Sequence, residues 1–576
     1  MNSFKVRIVA LAASAALYVG AGLLMWKRDN PHFHLYMLVL AYALLLPACT
    51  WVLMKDRGHS ADGAPSRWLR ARQVVALYVL IAAPLAWYLG KSVYCADEST
   101  YLFQAQAILH GHLTADAPPL QSFYLNNPDH LGVFFNHVLD DRKWFGKYPP
   151  GWPMLLALGT FLKASWLVAP LLGLLLLWVS LQIPLELFGR DLTTLAATIL
   201  VLSPYFILNS VGYMPHVFSG VLLALATLAL FRGISSGRAQ WFIAASIALG
   251  CAALVRPFTA ACVYPVFAVA GIWALKSNRS ALIRVFLSSA VITLGFAGLM
   301  GAYNKALTGS WWMATYAYYS GTAVPVEINT NLSLIFHNLS MFTRYGVQET
   351  LLSAFPFMFL LAAYAVWREE EHRLQVYVLA ALFLALVIGH VVQTDQSNSR
   401  VGERYYFDCF FAAAILAARG ASLLAARYHF SVRSVAAVAT VLLAIQSYHY
   451  VLFTDTALRR FRPYLAVESA LRQVQLTDAV AFVTSARPEF TSEDLNLNSP
   501  DWQSEPVFYI PDPGPQLRAA VVCKLQRSRW MTMRYDRKLG IGVATPSQEV
   551  TNCPARVNSP RLRIDSRPQV DLNGAF

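Results

Sequence analysis

The feature that most constrains this chain is the recurrence of nearly charge-free apolar runs of about 20 residues, the length an α-helix needs to cross a bilayer. "VRIVALAASAALYVGAGLLMW", opening at Val6, and "SWLVAPLLGLLLLWVSLQIPL", opening at Ser165, are two of them. With 56% of its 576 residues hydrophobic and only 14% charged, the chain lacks the polar surface of a soluble enzyme of its size. The sequence therefore predicts a polytopic, essentially all-α membrane protein. The first run is long, lacks a small-residue cleavage site and is followed at once by a second, so it reads as a retained helix rather than a signal peptide.

Apolar runs between charged loops give about thirteen spans. They fall near 6–26, 33–54, 73–91, 164–187, 191–208, 216–232, 240–256, 259–275, 285–305, 349–367, 375–393, 405–424 and 434–453. Placing the N-terminus in the cytoplasm puts Lys5, Arg7, Lys55, Arg232, Arg238, Lys276, Arg284, Arg373, Arg427 and Arg433 in inner loops, as the positive-inside rule asks. The formal charge of +14 is thereby used for orientation, and nucleic-acid binding is not implied. Counting crossings puts the loop 92–150 and everything after 453 on the outer face, which in a bacterial inner membrane is the periplasm.

Three regions follow. Residues 1–72 hold two transmembrane helices and a basic cytoplasmic loop, 73–453 a transmembrane core with the outer loop 92–150, and 454–576 a C-terminal periplasmic domain. The tail alternates strand-like runs, "AVAFVTS", "PVFYIP" and "RAAVVCKL", with Pro, Gly and Asp punctuation, which predicts a small α/β module of about 100 residues. Its Cys523 and Cys553 pair if the tail lies in an oxidising compartment. No cysteine falls at a metal-ligand spacing such as CxxC.

Chemistry concentrates in the first outer loop. "YCADESTYLFQAQAILHGHL" places Asp97 and Glu98 at the start of an amphipathic helix whose apolar residues Tyr101, Leu102, Ala105, Ile108 and Leu109 follow helical spacing, with Gly111 as its stop. Such a helix is expected to lie along the membrane surface. Acids are favoured there by the exposed N–H groups and the positive dipole end, one as N-cap and one in the first turn. Downstream, "KWFGKYPPGWPML" sets Lys147 and Tyr148 against two prolines that fix the backbone.

Together, the pattern DExxYxxxAxxxxxG and "KYPPGWP" resemble the GT-C superfamily of glycosyltransferases that use polyprenyl-phosphate sugars. Protein O-mannosyltransferases, lipid A aminoarabinose transferases and lipopolysaccharide sugar transferases are the nearest types. "NSVGYMPHVFSG", "ALVRPFTA" and "GERYYFDCFFAAAILAARG" extend the resemblance over roughly 70–425. The chain departs from the aminoarabinose pattern in carrying Tyr148 between Lys147 and the prolines. The resemblance implies a many-helix membrane fold with its active site in the first outer loop, Asp97 as catalytic base, and Glu98 in the second position of the motif.

Transfer from a lipid phosphate needs a base for the acceptor hydroxyl, and a carboxylate supplies it if burial raises its pKa. It also needs positive charge for the leaving phosphate; Arg256, Arg400 and Arg404 at outer helix ends, with Lys147, are the candidates. Tyr101, Tyr148, Tyr213, His216, Glu403 and Tyr405 complete the expected substrate-binding set. The sequence names no cofactor; a divalent ion shared by Asp97, Glu98 and the donor phosphate is left open. The expected partners are a polyprenyl-phosphate-linked sugar, a lipid, glycan or protein acceptor, and the membrane. The rival readings are a transporter or lipid flippase, or an envelope polysaccharide polymerase or ligase.

Overall fold

The computed structural model describes residues 3–27, 33–54, 71–120, 132–134, 137–139, 142–320, 348–391, 403–486, 495–550 and Cys553. Within them, ten helices are long and apolar enough to cross a membrane. In chain order the helices begin α1 (Ser3–Lys27), α2 (Phe33–Leu40), α3 (Leu46–Met54), α4 (Ala71–Leu89) and α5 (Ala96–Leu109). They continue α6 (Gly151–Phe161), α7 (Ser165–Phe188), α8 (Arg190–Val201), α9 (Pro204–Asn209), α10 (His216–Ser236), α11 (Ala239–Val255), α12 (Pro257–Leu275) and α13 (Arg279–Thr308). Then come α14 (Thr315–Ser320), α15 (Gln348–Ser353), α16 (Met358–Arg368), α17 (Arg373–Val391), a 3-10 turn (Arg404–Cys409), α18 (Phe410–Tyr428) and α19 (Val432–Gln473).

Three of the predicted spans, 191–208, 240–256 and 349–367, are not among these ten, and a fourth, 434–453, extends beyond its predicted end. The run 191–208 is two pieces, because Pro204 has no N–H to continue the helical ladder and instead starts α9. The run 349–367 breaks into α15 and α16 beside Pro356, where Phe357 adopts a left-handed conformation with φ 59°. The run 240–256 is a single helix of 17 residues. The last span, 434–453, does not stop there: α19 runs 42 residues, on to Gln473. Close helix contacts use small residues, as bilayer helices do. Gly420 of α18 lies so near Leu361 of α16 that a Cβ would meet its carbonyl oxygen at 1.8 Å.

Two sheets sit outside the bundle. The predicted first outer loop, 92–150, carries a small antiparallel sheet in the order β1 (Ala115–Asp116), β4 (Lys143–Gly146), β3 (His137–Leu139), β2 (Gly132–Phe134). The tail carries β5 (Ala479–Thr484), β6 (Val507–Pro511), β7 (Arg529–Asp536), β8 (Ile541–Ala544) and β9 (Gln548–Glu549). Their order is β6-β5-β7-β8, with β9 also on β7; β5 is parallel to β6 and β7, and the remaining pairs are antiparallel. The tail is thus an α/β module. Its third strand-like run, "RAAVVCKL", is helical and lies in α20 (Pro515–Lys524), where Pro515 opens a helix instead of a strand. Cys523 and Cys553 form a disulfide.

The module and the first outer loop share one core. Trp144 of β4 is fully buried among Phe103, His137 and Phe508, and Trp502 of the tail donates from Nε1 to the Asp116 carbonyl at 2.9 Å. As a result α5 does not simply lie on a surface. Its residues from Glu98 to Ala107 are buried, apart from Leu102 and Gln106, between α6 on one side and the module on the other.

Candidate functional site

The first turn of α5 builds the site. Cys95 occupies the N-cap position, so Asp97 and Glu98 both fall inside the helix and neither caps it, contrary to the expectation for one of them. They then diverge. Glu98 is fully buried, its Oε2 accepting the Tyr94 N–H and its Oε1 the Tyr213 N–H, each at 3.0 Å. It thereby satisfies a donor at the helix start and pins the turn before α10 to it. Tyr213 is braced in turn: its hydroxyl donates to the Gly90 carbonyl at 2.7 Å, and its own carbonyl accepts from Trp152 Nε1 at 2.7 Å.

Asp97 points elsewhere. Its Oδ2 accepts from Arg404 Nη1 at 2.9 Å, its Oδ1 accepts a short hydrogen bond from the Tyr148 hydroxyl, and its side chain keeps 18% of its surface exposed. Burial pushes the Asp97 pKa up, but the charges of Arg404 and Lys147 and the hydrogen bonds from Tyr148 and Arg404 outweigh it and hold the carboxyl below its ordinary value. The base expected to be raised by burial is therefore lowered by its partners. The Tyr148 hydroxyl moves the opposite way, pushed well above its usual range by burial and by the negative charge of Asp97.

The backbone fixed by Pro149 and Pro150 is held by further bonds. The Tyr148 carbonyl accepts from Gln104 Nε2 and from the Tyr303 hydroxyl, both at 2.9 Å, and its ring stacks on Tyr101 with centroids 4.3 Å apart. Lys147, only 5% exposed, sets its ammonium among three tyrosine rings, 4.2 Å from Tyr319, 5.1 Å from Tyr316 and 5.3 Å from Tyr148. Such a cage favours a cation electrostatically. Thr315 fixes the Lys147 carbonyl from the same segment at 2.8 Å.

A second charged cluster lies beside the first. Arg256, between α11 and α12, donates from Nη1 to both Asp408 oxygens at 2.8 and 2.9 Å and lies against His216 Nδ1, which is 3.1 Å from Asp408. Tyr405 joins the two clusters. Arg404 and Arg256 lie 5.1 and 5.2 Å from its ring centroid, His390 stacks on it at 4.4 Å, and Arg404 Nη2 donates to its hydroxyl at 3.2 Å. Glu403 is buried and supports this turn: its N–H donates to Thr350 Oγ1 at 2.8 Å, its carbonyl accepts from Tyr205 at 2.5 Å, and its carboxylate accepts from the Tyr405 N–H.

Of the expected residues, Asp97, Tyr101, Lys147, Tyr148, Arg404 and Tyr405 converge directly, with Arg256 and His216 one ring away. Glu98, Tyr213 and Glu403 hold the frame. Arg400 lies outside the described residues.

No protein-family model matches this chain. No curated protein matches it either. Solved structures do resemble it. ArnT from Cupriavidus metallidurans bound to undecaprenyl phosphate aligns over 81% of this chain and 93% of its own, at 13% identity and a TM-score of 0.49. The Archaeoglobus fulgidus oligosaccharyltransferase in complex with Zn and sulfate aligns over 80% and 67%, at 13% identity and a TM-score of 0.46. AglB from the same archaeon, in complex with an inhibitory peptide and a dolichol-phosphate, aligns over 88% and 70%, at 11% identity and a TM-score of 0.40.

Sequence reasoning missed Asp408, His390, Tyr316 and Tyr319 as site residues. Asp408 carried a signal, standing four residues after Arg404 in "RYYFDC" at the mouth of an apolar helix, where an unpaired acid is costly. Tyr316 and Tyr319 lie in an aromatic stretch, "WWMATYAYY", of the kind that marks a membrane interface, and His390 sits in the last turn of an apolar run with nothing nearby in sequence to mark it. Both Glu98 oxygens take backbone N–H groups, both Asp97 oxygens take Arg404 and Tyr148, and no group of three His, Cys, Asp or Glu side chains is placed to hold a metal among the described residues.

Proposed function

We propose that this chain is an integral membrane glycosyltransferase that moves a sugar from a polyprenyl-phosphate-sugar donor to a lipid, glycan or protein acceptor on the periplasmic face, with Asp97 as base. The observation that carries this reading is the arrangement of Asp97: a partly exposed carboxylate at a helix N-terminus, bonded to one arginine and one tyrosine hydroxyl. The DExxY and KYPPG motifs support it by resemblance.

The resting ion pair explains how a lowered carboxyl serves as a base. An anionic donor phosphate attracts the same Arg404 guanidinium and Lys147 ammonium that depress Asp97. As they turn to the phosphate, Asp97 loses its counter-charges and gains a negative neighbour, and both changes raise its proton affinity. Asp97 then takes the acceptor O–H proton while the acceptor oxygen bonds to the sugar's anomeric carbon. The bond from that carbon to the phosphate breaks with its electron pair on the phosphate oxygen, which is already anionic and needs no acid. Arg256, neutralised by Asp408, keeps Tyr405 and Arg404 in place. Glu98 acts as a brace rather than as a second reacting carboxylate.

Basic connectors gather at the end of the bundle away from Asp97, and the Cys523–Cys553 disulfide suits an oxidising compartment, so both support the periplasmic placement of the site and module. The test is transfer by the purified chain in nanodiscs, offered undecaprenyl-phosphate-linked sugars in turn. Release of undecaprenyl phosphate dependent on acceptor and on Asp97 is expected; release unchanged in Asp97→Asn removes the assigned role.

A further inference from the structure

Helix α5 has a second working face. Asp97, Tyr101 and Gln104, spaced for one stripe, meet Tyr148. Ser99, Leu102, Phe103 and Gln106, spaced i, i+3, i+4 and i+7, form another stripe and line a cavity of about 230 Å³ against the C-terminal module. The cleft is also lined by the turn Gly90–Val93, by Asn496–Asn498 and by Glu468 and Arg472 of α19.

One bond pins this seam, and a second set holds the module's side of it. Ser99 Oγ accepts from the Asn496 N–H at 3.0 Å, and Asn498 pairs with the Tyr509 backbone, accepting its N–H at 2.8 Å and donating to its carbonyl at 2.7 Å. Other polar groups in the wall remain uncommitted among the described residues. Ser92 Oγ and Asn496 Nδ2 are buried without a hydrogen-bond partner, on side chains 4% and 9% exposed, and the Gln106 amide makes no side-chain bond. Buried polar atoms of this kind cost free energy unless a ligand or water satisfies them.

The wall's charged groups each rest on a protein partner. Glu468 and Arg472 pair with each other at 2.7 Å, and the Lys91 ammonium rests on the Trp87 ring at 3.6 Å. What is left is a set of hydroxyl and amide groups beside the apolar surfaces of Val93, Leu102 and Leu497, in a space smaller than the ~300–1,000 Å³ of sites for drug-sized ligands. That combination matches a pyranose ring: hydroxyls that donate and accept, an apolar C–H face, and no net charge.

We propose that this cavity is an exosite for one uncharged sugar unit, separated from the Asp97 site by the thickness of α5. That the sugar belongs to a glycan acceptor rests on the glycosyltransferase reading; that the cavity binds it does not. The test therefore reads binding without turnover, so the two can fail independently.

The full chain in nanodiscs would be titrated calorimetrically with lactose, maltose and diacetylchitobiose, up to about ten times a ~1 mM Kd. At least one is expected to bind. Gln106→Trp fills the cavity and should remove binding, Gln106→Ala should weaken it about 2–10-fold, and Asp97→Asn should leave it unchanged. Unfolding temperatures of the variants show that loss is not misfolding. No binding of any of the three, binding unaffected by both Gln106 variants, or binding lost in Asp97→Asn would each overturn the proposal, the last by placing the sugar at the Asp97 site.

Discussion

The backbone N–H of Tyr213 donates to Glu98 Oε1 at 3.0 Å, joining two residues 115 positions apart. With the second bond from Tyr94, this makes Glu98 the point at which the first outer loop is fastened to the turn before α10. An amide in its place keeps only one good acceptor, so one buried N–H is left unpaired. Glu98→Gln should therefore lower stability by about 1–3 kcal/mol. Thermal unfolding in detergent measures it, and an unchanged unfolding temperature would refute the bracing role.

Replacing the neighbouring acid should do something different. Asp97→Asn keeps an oxygen for Arg404 but cannot take a proton, so expression should persist while transfer falls about 10²–10⁴-fold. Turnover of a lipid-linked sugar by the purified variant decides it.

The tyrosine that donates to Asp97 can be tested separately. Tyr148→Phe removes a hydrogen bond to a charged group, worth about 1.5–3 kcal/mol, so kcat/KM should drop about 10–100-fold. Its ring stack on Tyr101 is retained, so the stability lost should not exceed that one bond's contribution.

The pH response follows from the lowered Asp97 pKa. A carboxyl depressed in the folded state contributes stability above its unfolded value of about 3.9 and loses it only as pH falls through the lower folded value. The free enzyme should accordingly show no acid limb from Asp97 between about pH 5 and 8. Arg404→Gln removes the foremost counter-charge and leaves burial opposing ionisation, so the acid limb of kcat/KM should move upward. Identical profiles for the two proteins would separate Arg404 from Asp97.

Some of this was legible in the chain and some was not, for physical reasons. Apolar length marked the spans because a bilayer demands it, and proline explains why the runs around Pro204 and Pro356 are broken rather than continuous. The acids and the KYPPG segment were legible because charge and fixed backbone stand out beside apolar text. The pairing of Arg256 with Asp408, across 152 positions, was not, since no local pattern reports which helix ends meet. Nor was the division of labour between Asp97 and Glu98. Adjacent carboxylates look alike in sequence, and only the helix's 100° step sends one toward Arg404 and the other into backbone donors. The helix "PQLRAAVVCK" was misread because a short run of small and apolar residues suits either element until the parallel pairing of β5 with β6 and β7 calls for a crossover.

The 42-residue helix α19 is about 63 Å long, roughly twice the thickness of a bilayer's hydrocarbon core. It therefore works as a drive shaft: the membrane grips one end while the other carries the module that closes over α5. Its phase is set by residue count alone. Adding one residue between its membrane-spanning part and the module would turn the module by about 100° and draw Asn496 away from Ser99, whereas adding a full turn's worth would advance it with little rotation. The tail's grip on the first outer loop is, in this sense, timed by the length of a helix that touches neither reacting group.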